Sequence, residues 1–294
     1  MKKLILSALL LGAGPYLFAQ SCCEDAAAAC HETKKTSGLF ERPDEMQLMA
    51  STKEFQALHV EPLPFIFESK AGGEMIQLDA ADGKKAGAFF IKAKSKSDKY
   101  LIVFQEWWGL NDYVKQEAEK YYNVLDGKVN VLALDMYDGN VATTSEDAGK
   151  YMSQAKPERL EAIIKAGIGY AGPKARIATV GWCFGGMLSL KSALLEGAQA
   201  VGCVMYYGRP EQDIDKLKGL HTDVLGIFGS QDKGIPPATV QQFEKNMDAA
   251  GKKVTIKMYD AVHAFANPSN PKYDEAASKD AFTHASAYLR KKLL

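Results

Sequence analysis

The sequence predicts an α/β fold, a doubly wound, mostly parallel sheet of about eight strands flanked by helices. Three observations predict it. Short β-type runs recur at regular intervals, at 74–79, 87–92, 100–105, 128–134, 176–180, 200–206, 224–228 and 254–259. Several of the central runs are continuously apolar, as strands covered on both faces require. Helical stretches separate them, for example 111–125 and 239–250, where Val240, Phe243 and Met247 recur on one face. Strand and helix alternate after an initial hairpin, which places a site at the carboxyl edge of the sheet. The 294 residues leave enough chain, beyond an N-terminal segment, for one domain with a substantial core.

Taken in chain order, Lys2-Lys3, the apolar run 4–11 and the small and polar residues through Ser21 have the three regions of a secretory signal peptide. Residues 1–21 are therefore expected to be removed and the protein exported, periplasmic or secreted. The apolar stretch is too short for a membrane span. Cys22 opens a lipid-anchor alternative, but Ala19-Gln20-Ser21-Cys22 lacks the leucine usual three residues before such a cysteine. Residues 22–62 lack sustained periodicity and read as a polar arm. Within it, Cys22, Cys23, Cys30 and His31 match none of the standard metal-ligand spacings, and one local disulfide with a spare thiol is the better reading. No metal and no cofactor is expected. The main domain is set at 63–294, with Cys203 as a small core residue of its strand.

The chemistry is concentrated in Gly181-Trp182-Cys183-Phe184-Gly185-Gly186, which follows the apolar run 176–180 and precedes a helical pattern at 187–195. Strand, sharp turn and helix with a nucleophile at the apex make a nucleophile elbow, and the glycines on either side relieve crowding where the chain reverses. The helix turns its positive end and free N–H groups toward the sulfur, which is expected to lower the thiol pKa and to offer an oxyanion site. Such a nucleophile needs an acid and then a histidine downstream, each just beyond the carboxyl end of a later strand. Asp232 follows the run 223–229, and His263 follows 254–259. Asp223 begins its strand on the opposite edge, and Asp260 immediately follows the strand leading to His263. His284 falls in the final helical pattern, His221 precedes a strand, and His31 and His59 are read as preceding the domain. His263 would take the thiol proton, Asp232 would orient the imidazolium, and Cys183 would attack an acyl carbon to give a thioester that water cleaves.

With these residues in place, the chain resembles the dienelactone hydrolases from about residue 63 to the C-terminus. The resemblance rests on Gly-x-Cys-x-Gly-Gly at 181–186, Tyr206-Tyr207-Gly208, Gly-x-x-Asp at 229–232, His263-x-Phe265, and Gln105-Glu106-Trp107-Trp108-Gly109-Leu110-Asn111. It implies the α/β-hydrolase fold and a small ester or lactone as substrate. It also implies that Glu106 contacts the nucleophile and helps form the thiolate, with the backbone N–H groups of Phe184 and Trp107 as oxyanion hole. Tyr137, Tyr207 and Asn267 would stand at the substrate. Members acting on the acidic dienelactone resemble one another in two arginines that grip its carboxylate; the matching stretches here read Met136-Tyr137-Asp138-Gly139-Asn140 and His263-Ala264-Phe265-Ala266-Asn267. A missing guanidinium removes geometric specificity as well as charge, so a less anionic ester, thioester or lactone is expected. Asp138 would add repulsion if it faced the pocket, whereas Arg209 or Lys233 could restore anion binding.

The full chain carries 36 basic and 36 acidic residues, a formal net charge of zero, and loss of Lys2 and Lys3 leaves 34 against 36. No basic stripe survives, so nucleic acid is not an expected partner. Two other classes remain: a non-catalytic protein that binds ligands in the same pocket, against which the complete triad and Glu106 argue, and a thiol redox protein using Cys183, against which the lack of Cys-x-x-Cys argues.

Overall fold

The computed structural model describes residues 38–40 and 52–294. The expected signal peptide, Cys22, Cys23, Cys30 and His31 lie outside the described residues. Among the described residues eight strands form one sheet: β1 (Glu74–Asp79), β2 (Lys85–Ile91), β3 (Lys99–Phe104), β4 (Asn130–Leu134), β5 (Arg176–Trp182), β6 (Ala200–Tyr206), β7 (Val224–Gly229) and β8 (Val254–Tyr259). Their order is β1-β2-β4-β3-β5-β6-β7-β8. The β1–β2 and β2–β4 pairings are antiparallel and the other five are parallel. The fold is the expected doubly wound α/β-hydrolase architecture. Chain order reverses direction across the sheet between β3 and β5, and the crevice at such a switch point is where open α/β sheets place their sites.

The helices are α1 (Lys53–Leu58), α2 (Asp112–Val124), α3 (Ser145–Gln154), α4 (Pro157–Ala171), α5 (Phe184–Glu196), α6 (Ile214–Leu217), α7 (Pro237–Ala249) and α8 (Glu275–Leu293). Strand β4 is buried at every residue, and β5 at every residue after the first. This is the two-sided cover that their unbroken apolar sequence predicts. Cys203 is buried in a smaller cluster with Val224, Phe243 and Met247 beneath α7.

The polar-arm reading of 22–62 does not hold for its last part. The Thr52 hydroxyl accepts from the Phe55 N–H at 3.2 Å and caps α1, and Phe55 and His59 are buried. Phe40 is also in the core, with the Lys191 ammonium 4.6 Å from its ring centroid. A helix of six residues is too short to show a periodicity, and its packing partners lie far away in sequence.

Candidate active site

Helix α5 begins directly at Phe184, three residues before the expected 187, because the elbow leads straight from strand to helix. Cys183 sits at the apex with φ 55° and ψ −116°, a left-handed conformation that a side chain adopts only at a cost of about 1–3 kcal/mol. Its N–H donates to the Tyr206 carbonyl at 3.0 Å, and its carbonyl accepts from Gly186 and Met187 at 3.0 and 3.3 Å, so both ends of the turn are pinned. Gly185 is needed for close approach. A Cβ there would lie 2.4 Å from the carbonyl oxygens of Phe104 and Gln105, so only glycine lets the helix start against the end of β3. That contact sets Cys183, after β5, beside Glu106, after β3.

The turn after β7 supplies Asp232. Its Oδ1 accepts from the Gly234 and Ile235 N–H groups at 2.8 and 2.9 Å, and its Oδ2 accepts from His263 Nδ1 at 2.6 Å. His263 follows β8, and its Nε2 lies 3.3 Å from Cys183 Sγ. A carboxylate only accepts, so in the neutral ring the proton sits on Nδ1 and Nε2 turns its lone pair to the sulfur. The expected trio is thus in hydrogen-bonding sequence, and all three side chains are buried.

The electrostatics differ from the expectation for the thiol. Burial pushes the Cys183 pKa up, and the opposing pull of His263 and of the Phe184 N–H does not overcome it. Desolvation outweighs the helix end, and the resting group is a thiol. Burial pulls the His263 imidazole down, whereas Asp232 and the charge of a Cys183 thiolate together push it well above its ordinary value, so the base strengthens as the sulfur gives up its proton. Burial raises the Asp232 carboxyl, yet His263 and the two backbone N–H donors leave it below the usual carboxylate range.

Glu106 is buried, and burial raises its pKa to about 7 against the opposing influence of His263, Tyr207 and Asn267. Its carboxylate bonds to other groups than the nucleophile: the Tyr207 hydroxyl donates to Oε1 at 3.2 Å, and the Asn267 amide donates to Oε2. Tyr207 and Asn267, expected at the substrate, therefore hold Glu106. Tyr137 stacks on Phe184 with ring centroids 5.9 Å apart. Its hydroxyl and the Trp107 indole N–H are buried polar atoms with no hydrogen-bond partner among the described residues. Asp138 is paired with Arg159, which also binds Asp82, so its charge is engaged on the outer face. Arg209 is half-buried and Lys233 is exposed.

Sequence reasoning missed His59. Its Nδ1–H donates to the Phe55 carbonyl at 2.8 Å, and its Nε2 is 3.8 Å from Cys183 Sγ. The ring lies 5.3 Å from that of His263 and 4.5 Å from that of Trp107. Burial and the nearby His263 lower its pKa to about 3, so it is neutral. The signal available was slight: a capping threonine at 52 ahead of Phe55, four residues before a histidine.

The sequence pattern of the dienelactone hydrolase family matches residues 86–293. Protein usf of Aquifex pyrophilus is 26% identical over 232 residues, covering 75% of this chain and 99% of that protein. Among solved structures, the dienelactone hydrolase-like promiscuous phosphotriesterase P91 from metagenomic libraries superposes with a TM-score of 0.62 at 23% identity, over 75% of this chain and 98% of that one. The Pyrococcus furiosus esterase Pf2001 does so with a TM-score of 0.57 at 14% identity, over 80% of this chain and all of that one. At these identities the structural likeness speaks for the fold alone.

Proposed function

From the dienelactone hydrolase family, to which this chain belongs, we propose hydrolysis of a small carboxylic ester or lactone by Cys183, His263 and Asp232, through a thioester acyl-enzyme. The observation that carries this reading is the unbroken relay from Cys183 Sγ through His263, at 3.3 Å, to Asp232, at 2.6 Å. His263 Nε2 takes the thiol proton as the sulfur adds to the acyl carbon, and the oxyanion forms beside the Phe184 N–H, with the Trp107 N–H as second donor. The imidazolium then gives its proton to the leaving oxygen. In deacylation His263 removes a proton from water, and the new hydroxide cleaves the thioester, restoring the thiol and releasing the acid.

A buried donor without a partner costs about 1–3 kcal/mol, so the Tyr137 hydroxyl is best accounted for as a donor kept for a substrate oxygen. The raised thiol pKa fits an enzyme that deprotonates only with substrate present, and it protects a free cysteine in an oxidising compartment. The signal-like N-terminal segment supports such a location, periplasmic or secreted. Cys183 is wholly buried with the His59 ring against its sulfur, and we infer that substrate entry displaces the segment that carries His59. The test is turnover of a p-nitrophenyl ester panel, with peroxide consumption in parallel. Cys183→Ala should abolish ester turnover and leave the fold intact; undiminished turnover of a non-labile ester by that variant overturns the proposal.

A further inference from the structure

We propose that Cys183, His59 and His263 form a three-ligand site for a thiophilic divalent transition metal, and that its occupancy silences the nucleophile. One ligand atom from each, Sγ and the ring nitrogens, lie within 4.8 Å of one another, and all three residues are buried. In a tetrahedral zinc site, bond lengths of about 2.3 Å to sulfur and 2.0–2.1 Å to nitrogen put sulfur and nitrogen roughly 3.6 Å apart. Here the two separations are 3.3 Å to His263 Nε2 and 3.8 Å to His59 Nε2. Both sulfur–nitrogen separations lie within a few tenths of an ångström of that spacing, and the two nitrogens lie within 4.8 Å of each other.

Both imidazoles are arranged as ligands. His59 gives its Nδ1–H to the Phe55 carbonyl and His263 gives its own to Asp232, so each is fixed in the tautomer that leaves Nε2 unprotonated and aimed at the sulfur. Metal-bound histidines are held by this kind of outer partner, a backbone carbonyl or a carboxylate. One sulfur and two imidazole nitrogens select zinc, cobalt or copper over magnesium or calcium. Binding converts the thiol to a metal thiolate and releases its proton. His59 lies outside the residues matched by the family pattern, so the site needs a side chain that the segment before the domain contributes. The metal state then blocks hydrolysis twice, because both the sulfur lone pair and the His263 base are taken.

Cobalt(II) is the probe, titrated into the full chain carrying Cys22→Ser, Cys23→Ser and Cys30→Ser so that the N-terminal thiols cannot compete. One equivalent should bind, with a sulfur-to-cobalt charge-transfer band in the near ultraviolet and intense tetrahedral visible bands. Cys183→Ser should remove the charge-transfer band. His59→Gln should weaken binding by at least the roughly 10- to 100-fold that loss of an outer partner costs. Zinc should raise the melting temperature and suppress ester turnover over the same concentration range, reversibly with chelator. A charge-transfer band that survives Cys183→Ser, or equal metal affinity in His59→Gln and its parent, overturns the proposal. The cobalt spectrum is read without turnover, so it fails or succeeds independently of the hydrolase reading.

Discussion

Replacing Asp232 by Asn tests the relay at its most constrained point. Asp232 Oδ1 already accepts two backbone N–H groups, from Gly234 and Ile235 at 2.8 and 2.9 Å. An asparagine must keep its carbonyl oxygen there. Turned the other way, it would face its NH2 against two buried donors, at about 1–3 kcal/mol for each group left unsatisfied. Its NH2 therefore falls where Oδ2 now meets His263 Nδ1. Two donors cannot share that 2.6 Å gap, so the imidazole proton moves to Nε2, which leaves both side chains bonded but aims an N–H at the thiol. The base is then absent in the ground state. Loss of the correct tautomer in such a triad costs about 10⁴ in kcat, or roughly 5.5 kcal/mol of transition-state stabilisation. The assay is kcat for p-nitrophenyl acetate at neutral pH, with the melting temperature as control for folding. A folded Asp232→Asn enzyme within about tenfold of the parent refutes the assignment of Asp232 as the orienting acid.

The remaining predictions concern stability and substrate choice. Glu196, at the C-terminal end of α5, has Oε1 bonded to the Ser192 hydroxyl at 2.8 Å and Oε2 without a partner among the described residues; burial raises its pKa from 4.5 to about 8. The native state holds this proton where the unfolded chain has lost it, so the contribution is complete below the unfolded value and declines as pH rises through the window to about 8. Glu196→Gln should therefore match the parent near about pH 4.5 and exceed it by a few kcal/mol above about pH 8 in denaturant melts; parallel curves would exclude a protonated Glu196. For substrate, Asn267 is committed to Glu106, and Asp138 to Arg159. Without a charge-assisted partner worth about 1.5–3 kcal/mol, cis-dienelactone should show kcat/KM at least about tenfold below a neutral ester of similar size, and a preference for the anion would point to Arg209 or Lys233 as its ligand.

The elbow was legible because its glycines are enforced by backbone contacts under 3 Å, which leave a fixed spacing in the sequence. Asp232 and His263 were legible for a topological reason. In a parallel sheet the carboxyl ends of successive strands share one edge, so residues just past 229 and 259 had to converge on Cys183. The ionisation of the thiol was not legible, since the helix end is visible in sequence and burial is not. Nor were the partners of Asp138 and Glu106: Arg159 arrives from α4, and Asn267 from the loop after His263.

His59 joins these threads. It was set aside because it stands alone before the first strand, yet its ring is one of the groups that exclude water from Cys183. Desolvation is the largest influence on the thiol pKa, and it counts only while the site stays covered. Moving the segment that carries Phe55 and His59 would admit water and substrate together and bring the thiol pKa down. The same movement would separate His59 from the sulfur and dismantle the proposed metal site. Metal and ester thus require opposite positions of one short helix, so each should exclude the other by more than simple competition for sulfur. A substrate analogue bound at Cys183 should then release cobalt from the parent enzyme, whereas zinc should slow alkylation of Cys183 by iodoacetamide far more in the parent than in His59→Gln. Equal protection in both would mean that His59 covers the thiol without sharing in the metal.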